Sequence, residues 1–192
     1  MKHHGCPEGM NPPPPSFDEE LSEDWGLWVL EHGFPEFPPV LMRGQSVPVA
    51  RYVGRDLASV MYLEWHWGND DPSEDSVDTM FTTYFRTGDG WKSAGDRGGS
   101  SWPDDAFQSV VVPHCVIADL HHGVGDVGTA MGMVTSEAAF LEVRQNGDTH
   151  TSRIVAPMNL ITVTVKADVR ATVRVLDHEG HELLVKDFSG HW

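Results

Sequence analysis

Between Gly128 and Phe188 the chain is a succession of short segments in which apolar and polar residues alternate, each closed by a turn signal. Leu141 and Val143 alternate with Glu142 and Arg144 and end at Asn146-Gly147. Ile161, Val163 and Val165 alternate with Thr162 and Thr164, and Val173 and Val175 with Thr172 and Arg174; Glu179-Gly180 then leads into Leu183-Leu184-Val185. A period of two buries one face of a strand and wets the other, and Asn-Gly between such runs is a strong hairpin signal. The region reads as an antiparallel sheet, which places Thr162 and Thr164 on a wet face.

The same pattern begins earlier. Met61, Leu63, Trp65 and Trp67 alternate with Val60, Tyr62, Glu64 and His66, so the first set is expected to face the core. A second strand is expected around Thr79 to Arg86, turning at Thr87-Gly88-Asp89-Gly90 into a return strand from Trp91. Asp96 to Ser101, with Gly98-Gly99, reads as a flexible loop ending at Trp102, and Phe107 to Val112 as a further strand. His114 to Asp126 reads as connecting sequence.

One helix precedes the strands. Ser16 can cap it, Glu19 completes a capping box, and Leu21, Trp25, Trp28 and Val29 share one face. Gly33 stops it and Pro35 and Pro38 prevent resumption, which gives a helix at about 17–32 laid by its tryptophans on the sheet. Residues 1–16, with prolines at 12–15, read as a disordered tail. The remainder, 17–192, reads as one mainly β domain, with sheet regions at about 47–112 and 128–188. A β-sandwich or two small packed antiparallel sheets is the expected architecture.

Gly33-Phe34-Pro35 with Pro38-Pro39-Val40, the turn from Arg86 to Trp91, the Gly98-Gly99 loop before Trp102, Gly132-Met133-Val134 through Phe140-Leu141-Glu142-Val143, and Val175 to Gly180 together resemble a loose group of small actinobacterial proteins. The resemblance spans roughly residues 25–188 and implies an antiparallel β build; it brings no activity and no functional residue with it.

Composition narrows the function classes. Asp+Glu number 29 against 13 Lys+Arg, a net charge of -16, which repels nucleic-acid phosphates and anionic lipid and suits a basic protein partner. No apolar run reaches the ~18 residues of a membrane helix. Two cysteines, Cys6 and Cys115, make no disulfide framework, so a reducing, cytoplasmic setting is expected.

Four groups of residues merit weighing for chemistry. His114, Cys115, Asp119, His121 and His122 supply ligand types for zinc or another divalent metal within nine residues, but His121 and His122 are adjacent and point apart on an extended chain. Against the metal stands a polar connection with Cys115 as a small buried hydrophobe. The acidic run containing Asp70, Asp71, Glu74 and Asp75 offers oxygens, yet lacks the glycine of a calcium loop and reads as a solvated loop. Trp91 and Trp102 could stack on a sugar or peptide beside the glycine loop. Gly123, Gly125 and Gly128 match G-x-G-x-x-G in letters, but a strand-like run follows where the phosphate fingerprint needs a helix. The leading reading is therefore a non-enzymatic, β-rich protein-interaction module, without cofactor, binding through the acidic loop 69–78 and the glycine loop 95–102. A metal-binding protein or metal enzyme using the 114–122 cluster is the alternative, and a carbohydrate-binding module using exposed tryptophans is the second.

Overall fold

A computed structural model describes residues 22–34, 46–66, 76–101, 114–122, 126–155, 159–166, 168 and 170–189. Helix α1 (Ser22–His32) is followed by β1 (Ser46–Val53), β2 (Leu57–His66), β3 (Ser76–Thr87) and β4 (Gly90–Ser101). Next come β5 (Val116–Ile117), β6 (His121–His122), β7 (Val127–Met133), β8 (Ala138–Gln145), β9 (Asp148–Arg153), β10 (Leu160–Lys166), β11 (Ala171–Asp177) and β12 (Glu182–Phe188). The fold is mostly β and antiparallel, with one helix among the described residues, as the alternation requires. The strands form three sheets where two were expected: β1-β2-β3-β4, β10-β7-β5 with β6 also on β7, and β12-β11-β8-β9. The expected strand at Phe107 to Val112, the N-terminal tail and the helix start before Ser22 lie outside the described residues.

The sheets stack as layers, and three buried clusters mark the contacts. Trp25, Trp28, Val29 and Leu30 of α1 cover Ala58, Val60, Tyr62 and Tyr84 on one face of the first sheet. Val47, Val49, Ala50, Met61 and Leu63 on its other face meet Met131 and Leu160 of the middle sheet. Ala130, Ile161, Val163 and Val165 on the far side of the middle sheet meet Leu141, Val143, Val173 and Val175 of the outer sheet. Strand β2 is thus buried on both faces, so Val60 and Tyr62 are as enclosed as Met61 and Leu63. Alternation reports two environments, and here both are dry, because the helix occupies one of them.

The middle sheet repeats this. Thr162 and Thr164, on the face expected to be wet, are 1% and 2% exposed. Thr162 Oγ1 is satisfied across the gap to the first sheet, 3.1 Å from Ser59 Oγ; Thr164 Oγ1 lies 2.9 Å from Thr129 Oγ1 on the neighbouring strand, and Thr129 Oγ1 in turn lies 3.2 Å from Thr83 Oγ1 of the first sheet. A threonine methyl packs like valine while its hydroxyl needs a partner when water is absent, so a row of facing hydroxyls satisfies both demands.

The glycine loop expected at 95–102 is instead strand through Ser101, paired with β3 across two register shifts. Glycines weaken a strand without forbidding it, and bulges absorb them. The connecting sequence after His114 likewise contributes β5 and β6, two residues each, to the edge of β7. The hairpins at Thr87–Gly90 and Asn146-Gly147 form as read; Asn146 and Gly147 have φ of 55° and 82°, the left-handed pair that a two-residue turn needs.

Strand β1 carries a bulge between Pro48 and Ala50, and Pro48 is tolerated because β1 is an edge strand. The shift turns Arg51 toward the helix. Its Nη1 donates to the Val29 carbonyl at 2.6 Å and lies 3.5 Å from that of Leu30, while the Gly33 N–H also reaches Val29 at 2.9 Å. A cation on the last carbonyls of a helix satisfies orphan acceptors and opposes the negative end of the dipole. Burial lowers the pKa of Arg51 from its ordinary value, yet a guanidinium stays charged at neutral pH.

Close approach of α1 to the sheet depends on Gly26. A methyl there would overlap the hydroxyls of Tyr62 and Tyr84, which are buried and 3.3 Å apart. Gly→Ala inside a helix ordinarily gains about 1 kcal/mol. Here Gly26→Ala is expected to lose about 1–3 kcal/mol by overpacking, read from denaturant midpoints, while Gly88→Ala, with open space around it, stays near wild type. A stabilised G26A protein would refute this docking. For the hydroxyl row, Thr129→Val strands two buried hydroxyls and is expected to cost about 1–3 kcal/mol. The triple change Thr83→Val, Thr129→Val, Thr164→Val removes all three partners together and should cost less than T129V alone; the reverse order would show that the hydroxyls do not act as a unit.

Candidate functional site

Strands β1, β10 and β9 are the edges of the first, middle and outer sheets, and they come together on one side of the stack. Tyr52 of β1 joins the cluster between the middle and outer sheets. There it meets His150 of β9 edge-to-face, with ring centroids 6.2 Å apart. His150 Nε2 donates to the Val53 carbonyl at 2.7 Å, tying the first sheet to the outer one by a side chain. The Gln145 amide ties the outer sheet to the middle one: it donates to the Lys166 carbonyl at 2.8 Å and accepts the Lys166 N–H at 3.1 Å. An edge offers unpaired backbone groups, and these two side chains supply partners for some of them.

Between the ties lies a cleft of about 190 Å³. Its floor is made by Tyr52, Leu57, Val143 and Thr164, all buried. Thr164, the end of the Thr83–Thr129–Thr164 hydroxyl row, is one of the lining residues. Around the rim stand Arg55 and Asp56 from the β1–β2 turn, Asp148 at the start of β9 and Lys166 at the end of β10. Burial of Tyr52 pushes its phenol well above the ordinary tyrosine range, so it is neutral at any physiological pH and acts as a ring and a hydroxyl. On the other side of the His150 tie a groove runs between β1 and β9, lined by Arg51, Val53, Ser152, Arg153 and Val155.

The residues singled out from the sequence are dispersed. Cys115 is buried in the cluster between the middle and outer sheets, its Sγ 3.9 Å from Thr135 Oγ1. His114 is exposed, and Asp119 extends outward to accept from Lys186 Nζ at 2.7 Å. His121 and His122 form β6, and their side chains lie outside the description. Trp91 is half-buried against the α1 cluster, with the Arg86 guanidinium 5.2 Å from its ring centroid. Trp102, Asp70, Asp71, Glu74 and Asp75 lie outside the described residues. Gly128 sits within β7, so no helix follows it to hold a phosphate.

Among the described residues, Asp177, Glu179 and His181 bring three ligand-type atoms within 4.8 Å. The turn itself accounts for this grouping. Asp177 Oδ1 accepts the N–H groups of Glu179 and His181 at 2.8 Å each, and its Oδ2 lies 3.0 Å from His181 Nδ1. Partial desolvation acts to raise the Asp177 carboxyl, but these bonds from His181 and Glu179 outweigh it and hold the group below its ordinary value.

The cleft was not legible in the sequence, because its parts come from two groups of turns and strand ends more than eighty residues apart. Asn146-Gly147 reads as a turn, but nothing local links it to Gly54-Arg55-Asp56; only the strand order puts the two segments side by side. No protein-family model, no curated protein and no solved structure matches this chain.

A lowered carboxyl stabilises the fold above its unfolded pKa, here the ordinary 3.8, and that contribution disappears as pH falls through the lower folded value. The urea midpoint of the wild type is therefore expected to exceed that of Asp177→Asn at neutral pH. The gap should close well below pH 3.8. A gap unchanged in acid would contradict the role of the carboxylate in the turn.

Proposed function

We propose that the protein is a non-enzymatic, β-rich interaction module that presents an acidic surface to a basic protein partner. The observation that carries this reading is the charge at one end of the outer sheet. Register sets Asp177 beside Ala138 and Leu176 beside Glu182, so Glu137, Asp177, Glu179 and Glu182 gather about the β11–β12 turn. Arg174 is drawn between Glu142 and Glu182, at 2.9 and 2.8 Å, and leaves the other acids in surplus. The whole chain carries the same imbalance, 29 acids against 13 Lys+Arg. Exposed carboxylates in excess attract Lys- and Arg-rich surfaces and accelerate their encounter.

The side chains best suited to chemistry support a scaffold role. Cys115 fills core, His150 spans two sheets, Asp119 holds Lys186, and Asp177 closes a turn. The acidic residues Asp70, Asp71, Glu74 and Asp75 enter this reading through net charge alone. No helix among the described residues is long and apolar enough to cross a membrane.

Fluorescence anisotropy with a lysine-rich peptide tests the reading. Binding by the wild type is expected to weaken as salt rises, since exposed charges are screened within about 10 Å at 0.1 M. The charge-reversed variant Glu137→Lys/Glu179→Lys should bind several-fold more weakly at low salt. Equal affinity for wild type and variant would sink the assignment to this end of the sheet.

A further inference from the structure

At the opposite end of the outer sheet from these acids lies the cleft at the shared edge, and its chemistry differs. It carries two bases, Arg55 and Lys166, and two carboxylates, Asp56 and Asp148, all on exposed residues around a buried floor. Neither base forms an ion pair with a carboxylate among the described residues, and neither carboxylate forms one with a base. In a chain with 29 acids for 13 bases, unpaired bases next to unpaired acids stand out. Two neighbouring polar side chains are already committed: Gln145 to the Lys166 backbone, His150 to the Val53 carbonyl.

The volume limits the occupant. Sites for drug-sized molecules span roughly 300–1,000 Å³, whereas this cleft holds about 190 Å³. The floor of Tyr52, Leu57 and Val143 suits a short apolar group. A simple anion would face the two aspartates, and a simple cation would face Arg55 and Lys166. A molecule bearing both charges finds a partner for each.

We propose that this cleft binds a small zwitterion of amino-acid size, its carboxylate held by Arg55 and Lys166, its ammonium by Asp56 and Asp148, and its apolar side chain laid on Tyr52, Leu57 and Val143. The site is separate from the acidic end of the sheet and does not depend on a protein partner. Each charged contact is made at the rim, so the four side chains select the ligand while the floor, held by the Gln145 and His150 ties, sets its size.

Amide-resolved NMR of the full-length chain tests this, with four probes: leucine, N-acetyl-leucine, leucine amide and doubly blocked N-acetyl-leucine amide. Leucine is expected to give saturable shifts at Gly54, Asn146 and Thr149. Blocking either charge should weaken binding by about tenfold, the effect of one charged hydrogen bond. Arg55→Gln/Lys166→Gln should bind leucine and leucine amide alike, and Asp56→Asn/Asp148→Asn should bind leucine and N-acetyl-leucine alike. All four substituted residues are exposed, and unchanged amide positions elsewhere report that each variant is folded. The proposal is overturned if leucine leaves the cleft amides unmoved, if a singly charged probe binds as tightly as leucine, or if the doubly blocked probe does so.

Discussion

The middle sheet, β10-β7-β5, touches another sheet on each face, and the rest of the molecule is arranged around that double burial. Its Ile161, Val163 and Val165 face the outer sheet across an apolar cluster, with the Gln145–Lys166 hydrogen bonds at the margin. Its threonines face the first sheet, where each hydroxyl removed from water must find another hydroxyl. The buried contact on the first of these sides is apolar, while the other adds buried hydroxyl pairs that must keep their geometry. The hydroxyl row resists sliding, because a shift of one residue would move every partner out of reach.

From that center the other layers follow. The first sheet, already dry toward the middle one, still has an apolar face, and α1 closes it with Trp25, Trp28, Val29 and Leu30. The helix is fastened at two points: Gly26 lets it descend onto the paired tyrosine hydroxyls, and Arg51 takes up its last carbonyls. Arg51 can do so because the β1 bulge reverses the faces beyond Pro48.

Stacking three sheets brings three edge strands together, and these edges have to be managed. The His150 and Gln145 side chains cross between sheets where backbones do not pair, and the cleft is the space that remains. Charge is distributed unequally between the two ends of the outer sheet and the turns beside them. One end gathers carboxylates around a tight turn; the other sets bases and acids around a shallow, floored cavity. The two ends thus present different charge, an excess of carboxylates at one and both signs at the other.

What the chain determines by itself is local. Alternation marks β8, β10 and β11, the Asn146-Gly147 pair marks a hairpin, and the spacing of Trp25, Trp28 and Val29 marks a helix face; all three signals arise within a few residues and appear in the structure. Local signals also misled where context decided the outcome. Thr162 and Thr164 are polar by composition but buried, because only a facing sheet with its own hydroxyls makes that environment dry and satisfied at once. The glycines at 95–99 suit a loop, yet β3 recruits them as its partner. The number of sheets, the burial of β2 on both faces and the meeting of Arg55, Asp56, Asp148 and Lys166 belong to tertiary structure alone. Their cause is strand order and layer stacking, set by contacts between residues far apart in sequence that no short window of the chain contains.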